Sequence, residues 1–215
     1  MKAVLFDLDG TLLNTLDDLY QSISYVLKNM GFPARTKKEV RSFLGNGVEN
    51  LMLRSLPDDH KESLHEAVAL FREYYGKHSE DETCPYDGIP ALLDRLQKEG
   101  YGVAVISNKP DFAVQTLSAK YFPAVSFSVG EREGILRKPA PDAIFEALRV
   151  LGVSAENSLY VGDSEVDVET GKNAGMPCIA VTWGFRDRDV LEASGAEHYA
   201  DTAEELYEKI QSLLS

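Results

Sequence analysis

The sequence predicts an α/β fold in which a parallel β-sheet carries an inserted helical domain. Short apolar or β-branched runs recur along the chain with helical patterns between most of them, and this alternation is typical of parallel sheets. A long stretch without any strand pattern separates the first run from the second. The predicted strands cover residues 3–8, 102–106, 126–129, 158–161 and 178–181.

The segments between the later strands have the spacing of helices. Residues 90–100 begin at a proline and end at a glycine, which are common start and stop residues of helices. Residues 141–151 also begin at a proline, and their apolar residues recur at helical intervals. Thr202 with Glu205 predicts the start of a closing helix.

The strand-free stretch predicts a helical insert. Its apolar residues recur at helical spacing and its helices are bounded by Gly31 and by a capping-box pattern at Thr36 and Glu39. The predicted helices cover residues 16–30, a segment after Thr36, 48–56 and 60–75. Polar flanks at 14–16 and 79–83 lead to a prediction of two domains. Residues 1–14 and 83–215 form the core, and residues 15–82 form the cap.

Composition limits the function classes. The 215 residues are 44% hydrophobic and 27% charged, as in globular proteins. The formal net charge of −13 disfavours nucleic acid and anionic membranes as partners. The first residues do not resemble a signal peptide, and no apolar run is long enough to cross a bilayer. Cys84 and Cys178 lie in no metal-ligand spacing, so we expect free thiols in the cytoplasm.

Asp7 and Asp9 lie where the first predicted strand ends, and Gly10 follows them. In an extended segment, residues i and i+2 point the same way, so the two carboxylates can converge on one reacting centre. Two adjacent acids raise each other's pKa unless a cation or a proton holds them, and this indicates a divalent metal. The alternative is a solvated turn, because Asp-Gly is also common in turns.

Other polar residues follow the later strands. Ligands bind beyond the carboxyl ends of strands in open parallel sheets, so we expect these residues to lie together. They are Ser107-Asn108-Lys109, Lys138 and Gly162-Asp163-Ser164-Glu165-Val166-Asp167. Each segment alone is more typical of a turn, a surface lysine or a helix N-cap. Together, the acids, hydroxyl and lysine favour phosphoryl transfer, where catalysis is mostly positioning and charge stabilisation.

These motifs resemble those of a known family. Asp7-Leu8-Asp9-Gly10-Thr11, Ser107, Lys138 and Gly162-Asp163-x-x-x-Asp167 are similar to the four motifs of the haloacid dehalogenase superfamily, on its phosphatase branch. Gly45-Asn46-Gly47, Pro85-Tyr86-Asp87-Gly88, Ser107-Asn108-Lys109-Pro110 and Lys138-Pro139-x-Pro141 look like the phosphoglycolate phosphatase group. The resemblance spans the whole chain and implies a Rossmann-like core with a helical cap.

The resemblance also implies roles for the motif residues. Asp7 is expected to form an aspartyl-phosphate, while Asp9 protonates the leaving alkoxide and later takes a proton from the hydrolytic water. Mg²⁺ would be held by Asp7, the backbone carbonyl of Asp9, and Asp163. Asp167 completes the predicted metal site, by orienting either a metal-bound water or Lys138. Phosphate contacts are expected from Lys138, Ser107, Asn108 and the backbone amides of Gly10 and Thr11.

The cap is expected to select the substrate by closing over the site. Asn46 and Gly47 lie in a glycine-rich loop that a small ligand can approach closely, and Arg41 could bind a carboxylate. The alternative is an ordinary helix–helix turn with a solvent-facing arginine. Lys109 could attract an anionic substrate, although a solvated lysine is an equal alternative. Asn14 replaces an aspartate usual in this group, which bears on cap movement.

The expected function is therefore a Mg²⁺-dependent phosphatase acting on a small phosphomonoester, with phosphoglycolate favoured by the resemblance. An inorganic pyrophosphatase or a sugar-phosphate mutase on the same scaffold is the alternative. A regulator that binds a phosphometabolite without turnover is disfavoured, because the first and fourth motifs are intact. The expected partner is a small phosphate ester, and the chain is expected to be a monomer or a weak homodimer.

Overall fold

The computed structural model describes residues 1–123 and 125–215. Within these residues, six strands form one sheet in which every pairing is parallel, and two short strands form an antiparallel pair. The strands are β1 Ala3–Phe6, β2 Leu13–Asn14, β3 Cys84–Pro85, β4 Gly102–Pro110, β5 Phe127–Glu131, β6 Ser158–Gly162, β7 Cys178–Val181 and β8 His198–Ala200. The order in the large sheet is β5-β4-β1-β6-β7-β8.

Helices connect these strands and form the insert. They are α1 Leu16–Asn29, α2 Lys37–Phe43, α3 Gly47–Ser55, α4 Leu64–His78, α5 Ile89–Lys98, α6 Asp111–Tyr121, α7 Asp142–Leu151, α8 Glu165–Asn173, α9 Arg188–Ala193 and α10 Ala203–Leu213. No helix among the described residues has the length and apolarity needed to cross a bilayer. The predicted α/β class with a parallel sheet is confirmed.

One predicted helix has different ends. The helix expected over 60–75 begins only at Leu64 and continues to His78, because a short 3₁₀ segment at Asp58–Ser63 precedes it. The backbone of His60, with φ −132° and ψ 26°, is not helical. The predicted capping box is present, since Thr36 accepts a hydrogen bond from the Glu39 amide and Glu39 accepts one from the Thr36 amide.

The large sheet has an apolar layer on each face. Val4 and Phe6 of β1 pack with α5 and α10, whereas Ala3 and Leu5 pack with α7 on the opposite face. Successive side chains of a strand point to opposite faces, so a continuous apolar strand is buried on both sides. This arrangement fixes the carboxyl ends of β1, β4 and β6 side by side.

The insert has an apolar cluster of its own. Helices α1 to α4 contribute most of that cluster, and Ala113 and Phe185 of the core complete it. β2 and β3 pair antiparallel where the chain leaves and re-enters the core. The buried carboxylate of Asp18 accepts hydrogen bonds from the Glu82 and Thr83 amides, which ties α1 to the returning segment. The division at residues 15–82 stays a prediction.

Candidate active site

The polar residues predicted to meet at strand ends do lie together. β1 is the central strand between β4 and β6, so Asp7, Ser107 and Asp163 reach the same edge of the sheet. All three are buried, and all three line one cavity of about 60 Å³. The helical insert covers this cavity with Leu44, Gly45, Gly47, Val48, Leu51, Phe71 and Tyr75 among its lining residues.

Three buried carboxylates form the centre of the site. One oxygen from each of Asp7, Asp163 and Asp167 lies within 4.8 Å of the others. Asp163 Oδ2 accepts a hydrogen bond of 2.6 Å from the Phe185 amide, and its Oδ1 accepts one of 3.4 Å from the Thr11 hydroxyl. These contacts orient the Asp163 carboxylate toward Asp7, as a shared cation site requires.

Two glycines make room for Asp163. A Cβ on Gly10 would lie 2.3 Å from Asp163 Oδ2, and a Cβ on Gly184 would lie 2.4 Å from the same atom. Gly10 also has φ +87°, a conformation that side chains with a Cβ rarely adopt. The Asp-Gly sequence is therefore a sharp turn against a second acid, and the alternative of a merely solvated turn is wrong.

Lys138 bridges two of the acids. Its Nζ lies 2.7 Å from Asp7 Oδ1 and 2.7 Å from Asp167 Oδ1, and it also donates to the Tyr160 hydroxyl. Asn108 fixes the backbone of Lys138, because its Oδ1 accepts from the Lys138 amide and its Nδ2 donates to the Lys138 carbonyl. The alternative of a surface lysine is wrong, because the Lys138 side chain is 5% exposed.

Asp167 acts on the site through Lys138 in this geometry. Its Oδ1 accepts from Lys138, while its Oδ2 accepts from the Asp163 and Ser164 amides and the Ser164 hydroxyl. Both oxygens therefore already have donors. Of the two roles expected for Asp167, orientation of Lys138 has a direct contact, whereas its place among the metal ligands stays a prediction.

The acids outnumber the cations. The site contains four carboxylates, which belong to Asp7, Asp9, Asp163 and Asp167, and two ammonium groups, which belong to Lys109 and Lys138. When all six groups are ionised, their formal charge is −2. A bound divalent cation would balance this charge. Oxygen-only ligands, two of them carboxylates, also suit Mg²⁺, which usually keeps several waters. The residues present therefore fit a magnesium ion.

Burial first, and then the neighbouring charges, shift the pKa values of this site. Burial raises the pKa of Asp7 to about 7, Lys138 opposes the rise, and the charges of Asp167 and Asp9 add to it. Burial, with the charges of Asp167 and Asp7, also raises the pKa of Asp163 well above its ordinary value. Burial alone would lower the pKa of Lys138, but Asp167 and Asp7 outweigh it and raise that pKa well above normal. Lys138 therefore stays charged at neutral pH.

Lys109 is buried and paired with Asp9. Its Nζ lies 2.9 Å from Asp9 Oδ1 and 3.1 Å from Asp9 Oδ2, and its side chain is 2% exposed. The alternative of a solvated lysine is therefore wrong. β4 continues through Lys109 to Pro110, further than predicted, and so carries this lysine into the site.

Comparison with known proteins agrees with this geometry. A model of the haloacid dehalogenase-like hydrolase family matches residues 4–181. The chain belongs to this family. It is 34% identical over 191 residues to the phosphoglycolate phosphatase of Aquifex aeolicus, with 86% of each chain covered. It is 35% identical over 206 residues to that of Pseudomonas syringae pv. tomato, covering 91% of this chain and 75% of the relative.

A solved structure has the same fold. The protein from Lactobacillus delbrueckii subsp. bulgaricus, described as a candidate phosphoglycolate phosphatase, matches with a TM-score of 0.92 and 38% identity. The match covers 98% of this chain and 99% of that one. The predicted resemblance to the phosphoglycolate phosphatase group is confirmed, and the predicted class of phosphoric monoester hydrolase agrees with these relatives.

Two of the residues expected to bind substrate do not line the cavity in this hydrolase. The Arg41 guanidinium donates to Asp187 Oδ1 at 2.9 Å and to the Gly184 carbonyl at 3.1 Å, and Arg41 is not among the cavity-lining residues. Asn46 precedes α3 and is also absent from the lining, whereas the neighbouring Gly47 is part of it. Substrate contacts from Arg41 and Asn46 stay predictions, and in this geometry Arg41 already has acceptors.

Sequence reasoning missed Arg186. This buried residue lines the cavity, and its Nε donates to Glu165 Oε2 at 2.7 Å. Its other nitrogens donate to the carbonyls of Leu44 at 2.7 Å and Arg41 at 3.2 Å in the insert. Asn108 donates to the carbonyl of Gly45. These contacts hold the insert over the cavity, and only tertiary structure reveals them.

Proposed function

We propose that this hydrolase is a Mg²⁺-dependent phosphatase that cleaves a small phosphomonoester, with phosphoglycolate as the favoured substrate, through an aspartyl-phosphate on Asp7. The observation that supports it most is the buried contact of Asp7 with Lys138 beside Asp163, in a small cavity that the helical insert covers in part. The names of the relatives support the choice of phosphoglycolate. A small phosphate ester would then be the partner of this chain.

Mg²⁺ would be held by Asp7, Asp163 and the backbone carbonyl of Asp9. When bound, the cation would neutralise charge between the carboxylates and the phosphoryl oxygens. Without it, the Asp7 carboxylate has a pKa of about 7, so only part of the protein would hold the ionised nucleophile at neutral pH. Lys138 supplies the permanent charge beside Asp7 and fixes its Oδ1.

In the first step, a carboxylate oxygen of Asp7 attacks phosphorus, and the bond from phosphorus to the ester oxygen breaks. The leaving alkoxide takes a proton from Asp9. In the second step, water attacks the same phosphorus and loses a proton to Asp9, the Asp7–phosphorus bond breaks, and inorganic phosphate leaves. Asp9 is restored as an acid and Asp7 as a carboxylate, so the atoms and charges balance.

Other residues bind the phosphoryl group. The Ser107 oxygen accepts a hydrogen bond from the Lys109 amide, and its hydroxyl can donate to a phosphoryl oxygen. Lys138 stabilises charge on the transferring group, and the amides after Asp9 complete the cradle. Lys109 holds Asp9 at the cavity through both carboxylate oxygens.

The names of the relatives favour a phosphomonoester over pyrophosphate or a sugar phosphate. Leu44, Val48, Leu51 and Phe71 give the cavity an apolar wall. A cytoplasmic monomer or weak homodimer stays the expectation for location and assembly.

Phosphate release from a panel of esters tests the proposal. We expect turnover of phosphoglycolate to exceed that of pyrophosphate and glucose 1-phosphate, and to stop in excess chelator. Mg²⁺ at 100 times its dissociation constant should stabilise the wild type by about 2.7 kcal/mol, measured by thermal unfolding. Asp163→Asn should lose most of this gain, because the variant lacks one carboxylate ligand.

Two results would contradict this proposal. One is equal turnover with and without chelator. The other is an identical magnesium-dependent shift in the wild type and in Asp163→Asn. Glu169→Gln is a matched control, since this exposed acid of α8 lies outside the site and its loss should leave the shift intact.

A further inference from the structure

Tyr75 of α4 has a buried hydroxyl without a hydrogen-bond partner among the described residues. The residue is 1% exposed and lines the cavity of the site. Most buried polar groups in proteins have a partner, and leaving one without a partner destabilises the fold. This hydroxyl therefore has the capacity to bind a group that enters the cavity.

The hydroxyl lies on the same side of the cavity as Asp9. The Lys109 ammonium lies 4.6 Å from the centroid of the Tyr75 ring, and the same ammonium contacts Asp9. The Lys109 ammonium is close enough to interact with the Tyr75 hydroxyl, but an ammonium only donates, so the hydroxyl hydrogen has no acceptor among the described residues. Burial raises the pKa of Tyr75 to about 12, with Lys109 opposing and Asp9 adding to the rise. Tyr75 therefore keeps its proton at neutral pH and is a donor.

The Arg186 guanidinium and the Asn108 side-chain amide already have acceptors. The Arg186 nitrogens donate to Glu165 and to carbonyls of the insert, and the Asn108 amide donates to Gly45 and Lys138. Arg41 is bonded to Asp187 and Gly184 outside the lining. The Tyr75 hydroxyl, which has no acceptor among the described residues, thus lies next to a cation, and such a pair suits an anionic acceptor.

The proposed chemistry places the alcohol part of the ester on this side. Asp9 protonates the leaving oxygen, so the atoms beyond that oxygen lie near Asp9, Lys109 and Tyr75. Phe71 stacks on Tyr75 with 5.2 Å between ring centroids, and Leu19 also lines the cavity. These apolar neighbours lower the local polarity, which strengthens a hydrogen bond to a charged group.

We propose that the Tyr75 hydroxyl, together with the Lys109 ammonium, binds a carboxylate on the alcohol part of the substrate and so determines specificity for acidic esters. This inference rests on the proposed phosphatase function. It assigns to Tyr75 and Lys109 the carboxylate contact that the sequence had suggested for Arg41.

Tyr75→Phe tests this role because it removes only the oxygen and keeps the ring. The experiment compares phosphoglycolate with ethyl phosphate, which has a similar size and no carboxylate. One hydrogen bond to a charged group corresponds to a change of about 10- to 100-fold. We expect the ratio of kcat/KM for phosphoglycolate to kcat/KM for ethyl phosphate to fall by that factor in Tyr75→Phe, mainly through KM.

Tyr74→Phe is the matched control. Tyr74 precedes Tyr75 on the same helix, but its ring stacks on Tyr25 and His78 outside the cavity. We expect the control to keep the wild-type ratio. The melting temperature of unliganded Tyr75→Phe should be equal to or above that of the wild type, because the variant loses a buried hydroxyl that has no partner.

The possible outcomes separate this inference from the proposed function. A ratio unchanged in Tyr75→Phe, or no preference for phosphoglycolate in the wild type, overturns the carboxylate subsite and leaves the phosphatase intact. If Tyr75→Phe lowers the melting temperature and lowers kcat/KM equally for both esters, Tyr75 has a structural role and the carboxylate subsite is again overturned. Release of phosphate from neither ester by the wild type overturns the phosphatase itself, and the inference with it.

Discussion

Asp7→Asn is expected to lower phosphate release by at least about 10⁴-fold, the scale seen when a covalent nucleophile is removed. The carboxamide is a poor nucleophile and cannot form the acyl phosphate. Its neutral side chain also removes one ligand charge from the acid cluster. The measurement is kcat/KM with phosphoglycolate in saturating Mg²⁺. Undiminished phosphate release by the variant would rule out Asp7 as the nucleophile.

The stability of Asp7→Asn provides the control for folding and has a defined pH dependence. In chelator, the pKa of Asp7 rises from 3.8 to about 7 on folding, so the folded protein binds a proton that the unfolded chain has released between these values. The free energy of unfolding contributed by this group is then highest below the lower pKa and falls as pH rises through the window. Asn has no such charge, so the stability of the variant relative to wild type should increase from pH 4 to about 7.

Lys138→Met should have the largest effect on stability. Lys138 is 5% exposed and lies between Asp7 and Asp167, and methionine keeps much of the apolar stem. Removing one partner of a buried ion pair costs about 3–5 kcal/mol, so the free energy of unfolding in chelator at neutral pH should fall by that amount. Catalysis should be lost as well, because no permanent cation then faces the Asp7 oxygen.

Urea unfolding with and without Mg²⁺ measures this effect. The cation should restore part of the lost stability, because it supplies positive charge to the same acids. Lys172→Met is the matched control, since Lys172 is exposed on α8 and does not line the site. A free energy of unfolding for Lys138→Met within about 1 kcal/mol of the Lys172→Met value would contradict the bridging role.

The sequence was informative about the sheet because its strands are short, apolar and bounded by turns. β8 was missed, since its three residues, His198, Tyr199 and Ala200, are too few and too mixed to form a pattern. The predicted start of α4 was also wrong. Apolar spacing indicates a helix, but it does not report the non-helical backbone of His60 that delays the start to Leu64.

Residues of the site were predictable where parallel topology brings them together. Asp7 and Asp163 directly follow β1 and β6, and Ser107 lies in the last part of β4, the other neighbour of β1, so their positions after apolar runs were sufficient. Arg186 and Tyr75 were not predictable in this way. Arg186 belongs to none of the predicted motifs, and its position depends on hydrogen bonds to carbonyls of the insert. The sequence of an amphipathic helix does not show that the Tyr75 hydroxyl has no hydrogen-bond partner among the described residues.

The transfer of phosphate to Asp7 is tested most directly by Asp9→Asn with acetyl phosphate. Acetate is a good leaving group that needs no acid, so phosphorylation can proceed, whereas hydrolysis lacks its base. Acid-quenched protein is digested, and mass spectrometry locates the phosphoryl group. We expect about one phosphoryl group per chain on the peptide that contains Asp7. Phosphorylation at another residue such as Ser107, or an unmodified Asp7 while acetyl phosphate is being consumed, would contradict the transfer of phosphate to Asp7.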